Sequence, residues 1–372
     1  MEITDQMRTV LTGHRQTRWV AWLCDETDAL VRELDEFAGG SLENDRNADI
    51  RGGGSIELRS APGEGAPDID WGSARIRIEQ HITGLDPTPW GVYLPEVPEV
   101  TWHDEQGTMA CTVSLMDKTV IPSQDQPTDT YSLAAGTNIV ATVVSILTSL
   151  GETRVAAEES SLTLPADRSW PVDEDTSWLT IINDLLSVAG YYALWCDAEG
   201  IYQIGPNRPS SSDDTPAWTF TYGGDGHGGS SLYQPEWQQS EDWYSVPNRV
   251  ILVSQGDDET PALTATATNT DPASKYSTVS RGRVITTKET GVEAADLATL
   301  TALARTRLES LTTSVTNINI TTAPLPLWPN DRVDLVTPSR DGRVACTVSS
   351  WSISLEPGGL MEHSWREVVS LA

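Results

Sequence analysis

The stretch SIELRSAPGEGAPDIDWGSARIRIEQHI, residues 55–82, contains two segments in which apolar and polar side chains alternate. Ile56 and Leu58 alternate with polar neighbours in the first segment, and Ile76 and Ile78 do so in the second. A period of two is typical of strands that bury one face. Glycine and proline between the two segments favour a loop. The first third of the chain is therefore predicted to consist of half-buried β-strands.

Helical spacing of apolar residues appears in the middle of the chain. One such run leads up to Gly151, and glycine is favoured just beyond the C-terminus of a helix. A second amphipathic helix is predicted to begin near Trp178 and to stop at Gly190. The segments YYALWCD and IYQIG then predict a hairpin with Gly200 in its turn.

The last part of the chain is predicted to be rich in strands, with one helix from about Val292 to Leu311. A meander follows, with turns at PSRDG and PGG. In its middle strand the apolar phase slips by one residue, which predicts a β-bulge at Ser349 and Ser350.

These patterns predict a mainly β chain with a smaller α/β part. The expected units are an N-terminal β domain at 1–122, a mixed α/β domain at 125–205, a loop rich in Gly, Pro and Ser at 206–232, and a second β domain with one helix at 233–372. The joints between these units are expected near 122–130 and 206–231.

The charge balance is strongly acidic, with 54 Asp and Glu against 24 Lys and Arg and a net charge of -30. Such a chain repels polyanions, which disfavours duplex DNA as a bound ligand. The N-terminal residues lack a basic start and an apolar core, and the best apolar run is interrupted by Thr and Ser. Neither a signal peptide nor a membrane span is expected.

The four cysteines show no spacing typical of a metal site or a dense disulfide scaffold. They are Cys24, Cys111, Cys196 and Cys346. Without CxxC pairs or close His partners, we expect buried free thiols.

Motifs that would indicate catalysis are missing from the sequence: there is no GxSxG, HExxH, GxxxxGK[ST] or strand-linked GxGxxG. Glu158 with Glu159, or the acids of Asp173–Asp175, could form a glycosidase pair, but chance pairs are inevitable among so many acids. The GGDGHGG loop at 223–229 lacks the lysine of a phosphate loop and the oxygen ligands of a calcium loop, so a linker is the better interpretation.

Histidine can act as a general base or as a metal ligand. The five histidines are His14, His81, His103, His227 and His363. His363 lies between Met361 and Trp365 on one strand face, which predicts a hydrogen-bonded, semi-buried residue. His81 has charged neighbours and is predicted to be solvated, and His103 in WHDE is predicted to lie in a turn. No catalytic, cofactor-binding or metal-binding residue is predicted, and no interface residue is assigned.

Several segments, taken in order, resemble the hub proteins of phage tails, which are called minor tail proteins in phages of actinobacteria and are related to the hubs of contractile tails. The matching segments are 31–58, 69–78, 88–100, 111–121, 131–151 and 177–206, followed more loosely by 246–254, 300–310 and 324–336. Their order is more specific than any single segment, and none of them is catalytic.

The resemblance implies a phage tail hub fold, with two tail-tube-like β-barrel domains and a helix-and-sheet domain. It implies a structural homotrimer without cofactors, located in the virion at the distal end of the tail. Such a ring would join the six-fold tail tube or distal tail ring to the three-fold tip and line the DNA exit channel. The implied partners are the distal tail ring or tube protein, the tape measure protein and a central fibre or spike.

Three alternatives remain open at this stage: a tail-associated cell-wall hydrolase, a receptor-binding tail module, and the hub of a contractile injection system. The acidity also suggests a hypothesis for the hub. If carboxylates line the bore, DNA slides through without adhering, whereas acids confined to the outer wall would contradict this idea.

Overall fold

The computed structural model describes residues 3–65, 67–173, 175–208, 210–223, 232–241, 244–254, 261–292, 294, 296–313 and 316–368. Within these ranges the chain is mostly β. Its three larger apolar cores are described below.

The N-terminal part begins with helix α1 (Asp5–Thr12), whose first turn is capped by the Thr4 side chain. Eight strands follow: β1 (Thr17–Cys24), β2 (Leu30–Glu33), β3 (Phe37–Asp45), β4 (Gly52–Arg59), β5 (Arg75–Ile82), β6 (Thr88–Pro95), β7 (Val100–His103) and β8 (Thr108–Asp117). Strands β4 and β5 confirm the two strands predicted from residues 55–82, and their isoleucines are buried.

The middle part packs two helices against short strands around its own apolar core. Its elements are α2 (Val120–Gln124), β9 (Tyr131–Leu133), α3 (Ile139–Ser149), β10 (Val155–Ala157), β11 (Arg168–Trp170), α4 (Trp178–Val188), β12 (Trp195–Cys196) and β13 (Tyr202–Ile204). The predicted helices are confirmed: Asn138 and Ser177 cap their N-termini, and Gly151 and Gly190 follow with positive φ. The hairpin at Gly200 is confirmed as well.

The C-terminal part contains strands of the main sheet and a smaller inserted unit. Its elements are β14 (Trp218–Thr221), β15 (Tyr233–Glu241), β16 (Arg249–Ser254), β17 (Thr264–Thr268), α5 (Thr278–Arg281), β18 (Thr286–Val292), α6 (Leu297–Thr313), β19 (Thr316–Thr322), β20 (Arg332–Val336), β21 (Arg343–Ser354) and β22 (Met361–Glu367). The predicted bulge is confirmed, because the register of β21 against β22 shifts between Val348 and Ser350.

One strand lies where the sequence predicts only a loop. Within residues 206–232, β14 pairs in parallel with β20, and its Trp218 and Phe220 are buried. The strand has only four residues and is surrounded by Ser, Asp and Gly, so local composition hides it. Its partner is more than 100 residues away, at Val333–Val336, beyond the reach of any local pattern.

The inserted unit lies between β15 and β19 in the sequence and has a separate apolar core. Strands β16, β17 and β18 form a three-stranded sheet, and helix α6 packs on one of its faces. Leu300, Ala304 and Leu308 of the helix are buried against Val250 and Leu252 of β16. The helix predicted from about Val292 to Leu311 is thus present, and its spacing of apolar residues reflects this contact, but it begins only at Leu297 because Val292 ends strand β18.

The N-terminal and C-terminal parts share one sheet. Among the described residues, 14 strands belong to it, in the order β15, β19, β22, β21, β3, β4, β8, β6, β5, β1, β2, with β14, β20 and β7 off this path. The joint is antiparallel pairing of β21 with β3, in which Ser350–Ser354 lie opposite Ser41–Asp45. The two parts are therefore joined by backbone hydrogen bonds.

The same two parts also share one apolar core, through a chain of buried tryptophans. Trp19 contacts Trp90, Trp90 contacts Trp351, and Trp351 contacts Trp328, with ring centroids 5.5 Å apart at each step in edge-to-face geometry. Trp19 and Trp90 belong to the N-terminal part, whereas Trp328 and Trp351 belong to the C-terminal part. Relative rotation of the two parts would break the contact between Trp90 and Trp351.

Two glycines allow strands β3 and β4 to approach closely. Gly40 and Gly54 both have φ of 145°, a conformation that other residues rarely adopt. A Cβ on Gly54 would clash with the backbone oxygen of Ser41 and would lie 2.8 Å from Leu42 Cα. A Cβ on Gly40 would meet Ser55 and Ile56 in the same way.

Gly54→Ala is expected to destabilise the protein by more than about 1 kcal/mol, because both the backbone conformation and the space are denied to alanine. Urea unfolding measures this change. Gly65→Ala is the matched control, since nothing lies within 4 Å of a Cβ at that position. Equal midpoints for the two variants would contradict the prediction.

Candidate functional site

A groove of about 1070 Å³ lies on one face of the shared sheet. Residues of seven consecutive strands line it, from β15 through β19, β22, β21, β3 and β4 to β8. The groove crosses the joint between β21 and β3, so both β parts contribute to it.

Strand alternation explains why this face is polar. In β3, Leu42 points into the apolar core while Glu43 and Asp45 are exposed on the groove side. In β21, Trp351 is buried and its neighbour Ser352 lines the groove. Hydroxyl and amide side chains also contribute to the lining: Ser114, Gln238, Asn319, Thr321, Ser350 and Ser364.

The charge of the groove is negative. Its lining includes five carboxylates, those of Glu43, Asp45, Glu96, Glu236 and Glu362, and a single guanidinium, that of Arg51. Arg51 is buried and donates a hydrogen bond to the Ala193 carbonyl at 3.1 Å, and burial lowers its pKa. The exposed charges in the groove are therefore those of carboxylates.

A second site lies where the N-terminal part meets the middle part, and it consists of buried ions. Lys118 is fully buried, and its Nζ lies 2.8 Å from Asp28 Oδ2 and 2.8 Å from Glu152 Oε2. Arg75 lies 2.6 Å from both Asp28 and Glu152. Arg154 completes the cluster at 2.8 Å from Asp28.

These ions lie between two apolar cores. Asp28, Arg75 and Lys118 belong to the N-terminal part, whereas Glu152 and Arg154 follow helix α3 in the middle part. Lys118 also contacts the hairpin of the middle part, because its Nζ donates to the Gly200 carbonyl at 3.2 Å and its own carbonyl accepts a 2.6 Å bond from the Tyr202 hydroxyl. The joint is thus polar and specific in its geometry.

The role of the ion cluster is structural. Burial alone would raise the pKa of Asp28, but hydrogen bonds from Lys118 and Arg75 hold that pKa below its ordinary value. Burial opposes the charge of Arg75 too, yet Asp28 and Glu152 raise its pKa. All five groups have charged partners, so the cluster offers neither a free base nor a nucleophile.

His363 is hydrogen-bonded, as predicted, but it is buried more deeply than the sequence indicates. Its side chain is only 4% exposed, and Nε2 lies 3.0 Å from Thr322 Oγ1. Burial lowers its pKa from 6.5 to about 3. The neutral imidazole is therefore part of the core.

His363 makes stability depend on pH. Because its folded pKa is below its unfolded value, its contribution is complete above pH 6.5 and is lost as the pH falls toward 3. We expect His363→Gln to flatten the fall in unfolding free energy between pH 6 and pH 4 by about 1.4 kcal/mol per pH unit. Urea titrations at both pH values measure this slope, with exposed His103→Gln as the control; equal slopes in the two variants would count against the prediction.

The other histidines differ from their predicted settings. His81 is only partly solvated, because its Nε2 lies 3.1 Å from Glu79 Oε2 on strand β5. His103 is exposed at the end of strand β7 and not in a turn, since WH continues the pairing with β8. His14 is exposed, and His227 lies outside the described residues.

Among the carboxylates that could form a glycosidase pair, Glu158 and Asp173 make local contacts. Glu158 forms an exposed ion pair with Arg208 at 2.9 Å, and Glu159 is exposed. Asp173 accepts hydrogen bonds from Thr176 Oγ1 at 2.6 Å and from the Asp175 amide at 3.1 Å, which is the geometry of a turn. In the loop at 223–229, all but Gly223 lies outside the described residues.

The cysteines are buried free thiols, as predicted. Burial raises the pKa of Cys24 to about 11 and that of Cys346 to about 12, so both remain protonated near neutral pH. In the part of the chain that the structure describes, no group of three or more His, Cys, Asp or Glu side chains is arranged to hold a metal ion. No helix in that part has the length and apolarity needed to cross a membrane.

Comparison with known proteins assigns the fold to a class: it is the fold of phage tail and baseplate hub proteins. The tail protein from Neisseria meningitidis MC58 superposes with a TM-score of 0.65 at 12% identity, covering 94% of this chain and 97% of its own. The 43 kDa tail protein of prophage MuSo2 from Shewanella oneidensis gives 0.63 at 14% identity, covering 93% and 98%. The mainly β hub fold implied by the sequence resemblance is confirmed.

A further neighbour comes from a secretion system. The E. coli c3393 protein, a component of the type VI secretion system with structural similarity to the T4 tail proteins gp27 and gp5, gives a TM-score of 0.52 at 9% identity, covering 90% of this chain and 74% of its own. No protein-family profile matches the chain, and no curated protein matches its sequence.

Proposed function

We propose that this chain is the structural hub of a phage tail tip and acts without catalysis. Three copies form a ring at the distal end of the tail, between the six-fold tube or distal tail ring and the three-fold tip. Residues 1–122 and 233–372 each supply a tube-like β-barrel domain, and residues 125–205 supply the mixed domain between them. The tape measure protein and a central fibre or spike are the other partners.

The shared sheet is the observation that carries this proposal. Two β parts of one chain lie side by side, joined by β21 and β3, and present one continuous polar face. Three such chains place six β parts around one axis, which matches a six-fold tube on one side and a three-fold tip on the other. The fold of phage tail proteins supports the same assignment.

The acidic groove supports a role as the lining of the DNA channel. Its exposed carboxylates repel phosphates, and the guanidinium of Arg51 is buried, so the described lining offers no basic patch on which DNA would be retained. A lining of this kind lets DNA pass without binding. Carboxylates are also exposed elsewhere on the chain, so the proposal concerns the groove and not the total charge.

Counting copies in purified tails tests the hub assignment. Three copies per particle support it, six would indicate a distal ring, and many would indicate a tube protein. Incubating the purified protein with peptidoglycan tests the hydrolase alternative, and release of soluble fragments would overturn the non-enzymatic assignment.

Reversing charge in the groove tests the channel role. We expect Glu43→Lys with Glu362→Lys to slow DNA ejection from assembled particles, because lysines in the groove attract phosphates. The control reverses two exposed carboxylates outside the groove, Glu26→Lys with Glu64→Lys. Ejection at the same rate in both variants would refute the channel role while leaving the ring unaffected.

A further inference from the structure

The middle part is joined to the N-terminal part without a backbone ladder. In the described residues, no strand of one part pairs with a strand of the other. The backbone hydrogen bonds between them are confined to the covalent connection, where the Ile121 amide donates to the Lys118 carbonyl. The joint between β21 and β3 is, in contrast, a ladder of the shared sheet. One chain therefore contains two joints of different construction.

Apolar packing across the joint of the middle part is slight. The buried members of its own apolar core all come from residues 139–204. The main core, in turn, includes one buried residue of the middle part, Ala198 in the hairpin. Separation of the two parts would therefore expose little apolar surface to water. Parts of one chain move relative to each other unless their interface is large and hydrophobic.

Ions take the place of apolar contacts at this joint. Among the described residues, the ion pairs that cross it are Glu152–Arg75, Glu152–Lys118, Arg154–Asp28 and Glu199–Arg77, with lengths from 2.6 to 2.8 Å. The side chains of Arg154 and Glu199 are 34% and 43% exposed, so these two pairs form the rim of the joint.

Separation leaves no buried charge without a partner in the N-terminal part. Asp28 keeps both Arg75 and Lys118, because all three residues belong to that part. Arg77 likewise keeps Glu79, at 2.8 Å on the same strand. The carboxylate of Glu152 is released to water, which is a better environment for a lone ion than a protein interior. The joint can thus open without the penalty of an unpaired buried ion.

The chain crosses this joint at two places. The first is Thr119, between strand β8 and helix α2. The second lies between Arg208 and Ser211. The Arg208 carbonyl accepts a 2.9 Å bond from the Tyr192 hydroxyl of the middle part, whereas the Ser211 carbonyl accepts a 3.2 Å bond from Arg332 of the C-terminal part. Changes of backbone angle at these two places would rotate the middle part as one body.

We propose that the middle part undocks from the N-terminal part as an intact folded unit, and that the ion pairs across the joint are the latch that holds it closed. The two β parts, which share a sheet and the tryptophan chain, stay together as one body. The closed form is the structure described above, and the open form is a minor state in equilibrium with it. This inference does not depend on the proposed hub role.

Distances between spin labels in the full chain test this motion. One pair of labels, attached at Thr112→Cys on β8 and Ser145→Cys on α3, spans the joint of the middle part. A second pair, at Thr112→Cys and Glu362→Cys on β22, spans the joint between β21 and β3. All three positions are exposed, and the natural cysteines are buried. Diluting the sample with unlabelled protein restricts the measurement to distances within one chain.

Weakening the latch should shift the equilibrium toward the open form. Arg154→Gln with Glu199→Gln removes two rim pairs and leaves their former partners paired within the N-terminal part. We expect the population at a second distance of the first label pair to rise about two- to tenfold, with the second label pair unchanged. The matched control, Arg18→Gln with Glu57→Gln, removes the same charges from pairs inside the N-terminal part and should have no effect.

Three results would overturn the inference. A single distance for the first label pair, both in the wild-type background and in the latch variant, would show that the joint does not open. An equal new distance for both label pairs would show that the β parts do not move as one body. Loss of helical circular dichroism together with the new distance would show that the middle part unfolds instead of undocking. The number of copies per tail affects none of these results, so they leave the hub proposal untouched.

Discussion

Replacing Lys118 by methionine is expected to lower the free energy of unfolding by about 3–5 kcal/mol, because a buried ion cluster loses one partner while the others stay buried. Asp28 and Glu152 each lose an ammonium at 2.8 Å. Arg75 and Arg154 remain beside Asp28, but Glu152 keeps Arg75 alone, and these two carboxylates are 1% and 4% exposed.

Urea unfolding at pH 7 measures this loss, and amide hydrogen exchange shows where it acts. We expect faster exchange in the middle part, whose contact with the N-terminal part depends on the cluster. Arg18→Met is the control, since the Arg18–Glu33 pair is 2.8 Å long but Arg18 is 63% exposed, and such pairs contribute little. Equal losses in the two variants would show that burial of the cluster does not matter.

A double variant sharpens the test. Lys118→Met with Glu152→Gln removes a positive and a negative charge together, so we expect it to recover part of the stability lost by Lys118→Met alone. A double variant that is less stable than the sum of the two single changes would contradict the ion-pair explanation.

Trp351→Ala is expected to destabilise the protein by a similar amount, about 3–5 kcal/mol, because it creates a large cavity in a packed core. Trp351 is 2% exposed and contacts both Trp90 and Trp328 at 5.5 Å. The cavity would open where the N-terminal and C-terminal parts meet. The change should therefore lower the cooperativity with which the two parts unfold, as well as the total stability.

Calorimetry and urea unfolding measure both effects. We expect a lower melting temperature and a broader transition, since the two parts are less tightly coupled. Trp102→Ala is the matched control, because Trp102 is 56% exposed at the edge of the sheet, and the monomer should tolerate its loss. A Trp351→Ala variant as stable as Trp102→Ala would refute the bridging role of the tryptophan chain.

Local patterns in the sequence predicted much of the secondary structure. Strands β4 and β5 could be predicted because apolar and polar side chains alternate in two segments of residues 55–82. The C-terminal ends of helices α3 and α4 could be predicted because Gly151 and Gly190 follow them. Glycine readily adopts the positive φ that such positions favour. The bulge near Ser349 followed from a one-residue slip in the apolar phase.

Contacts between distant residues could not be predicted in this way. The joint between β21 and β3 unites residues about 300 positions apart, and neither strand encodes its partner. The ion cluster was missed for the same reason, because Asp28, Lys118 and Glu152 are dispersed among 78 charged residues. The sequence carried one signal for the ion cluster. Lys118 is one of few lysines, and it directly follows a strand in which apolar and polar residues alternate. A solvated side chain is unusual at such a position.

The groove was only partly accessible to sequence reasoning. The acidity of the groove could be inferred from the net charge of -30. Its location could not, because it depends on exposed residues of seven strands that share one face only in the folded sheet. The separate core of the inserted unit was also missed. Its β17 consists of Thr and Ala, which give a weak apolar pattern.

The joint between β21 and β3 also has a consequence for synthesis on the ribosome. Strand β3 ends at Asp45, but its partner is complete only at Ser354. At about 5–20 residues per second, the nascent chain carries an unpaired β3 edge for roughly 15–60 s. During that time neighbouring nascent chains on one messenger can pair at this edge, so a chaperone that shields strands during translation should raise the yield of this protein.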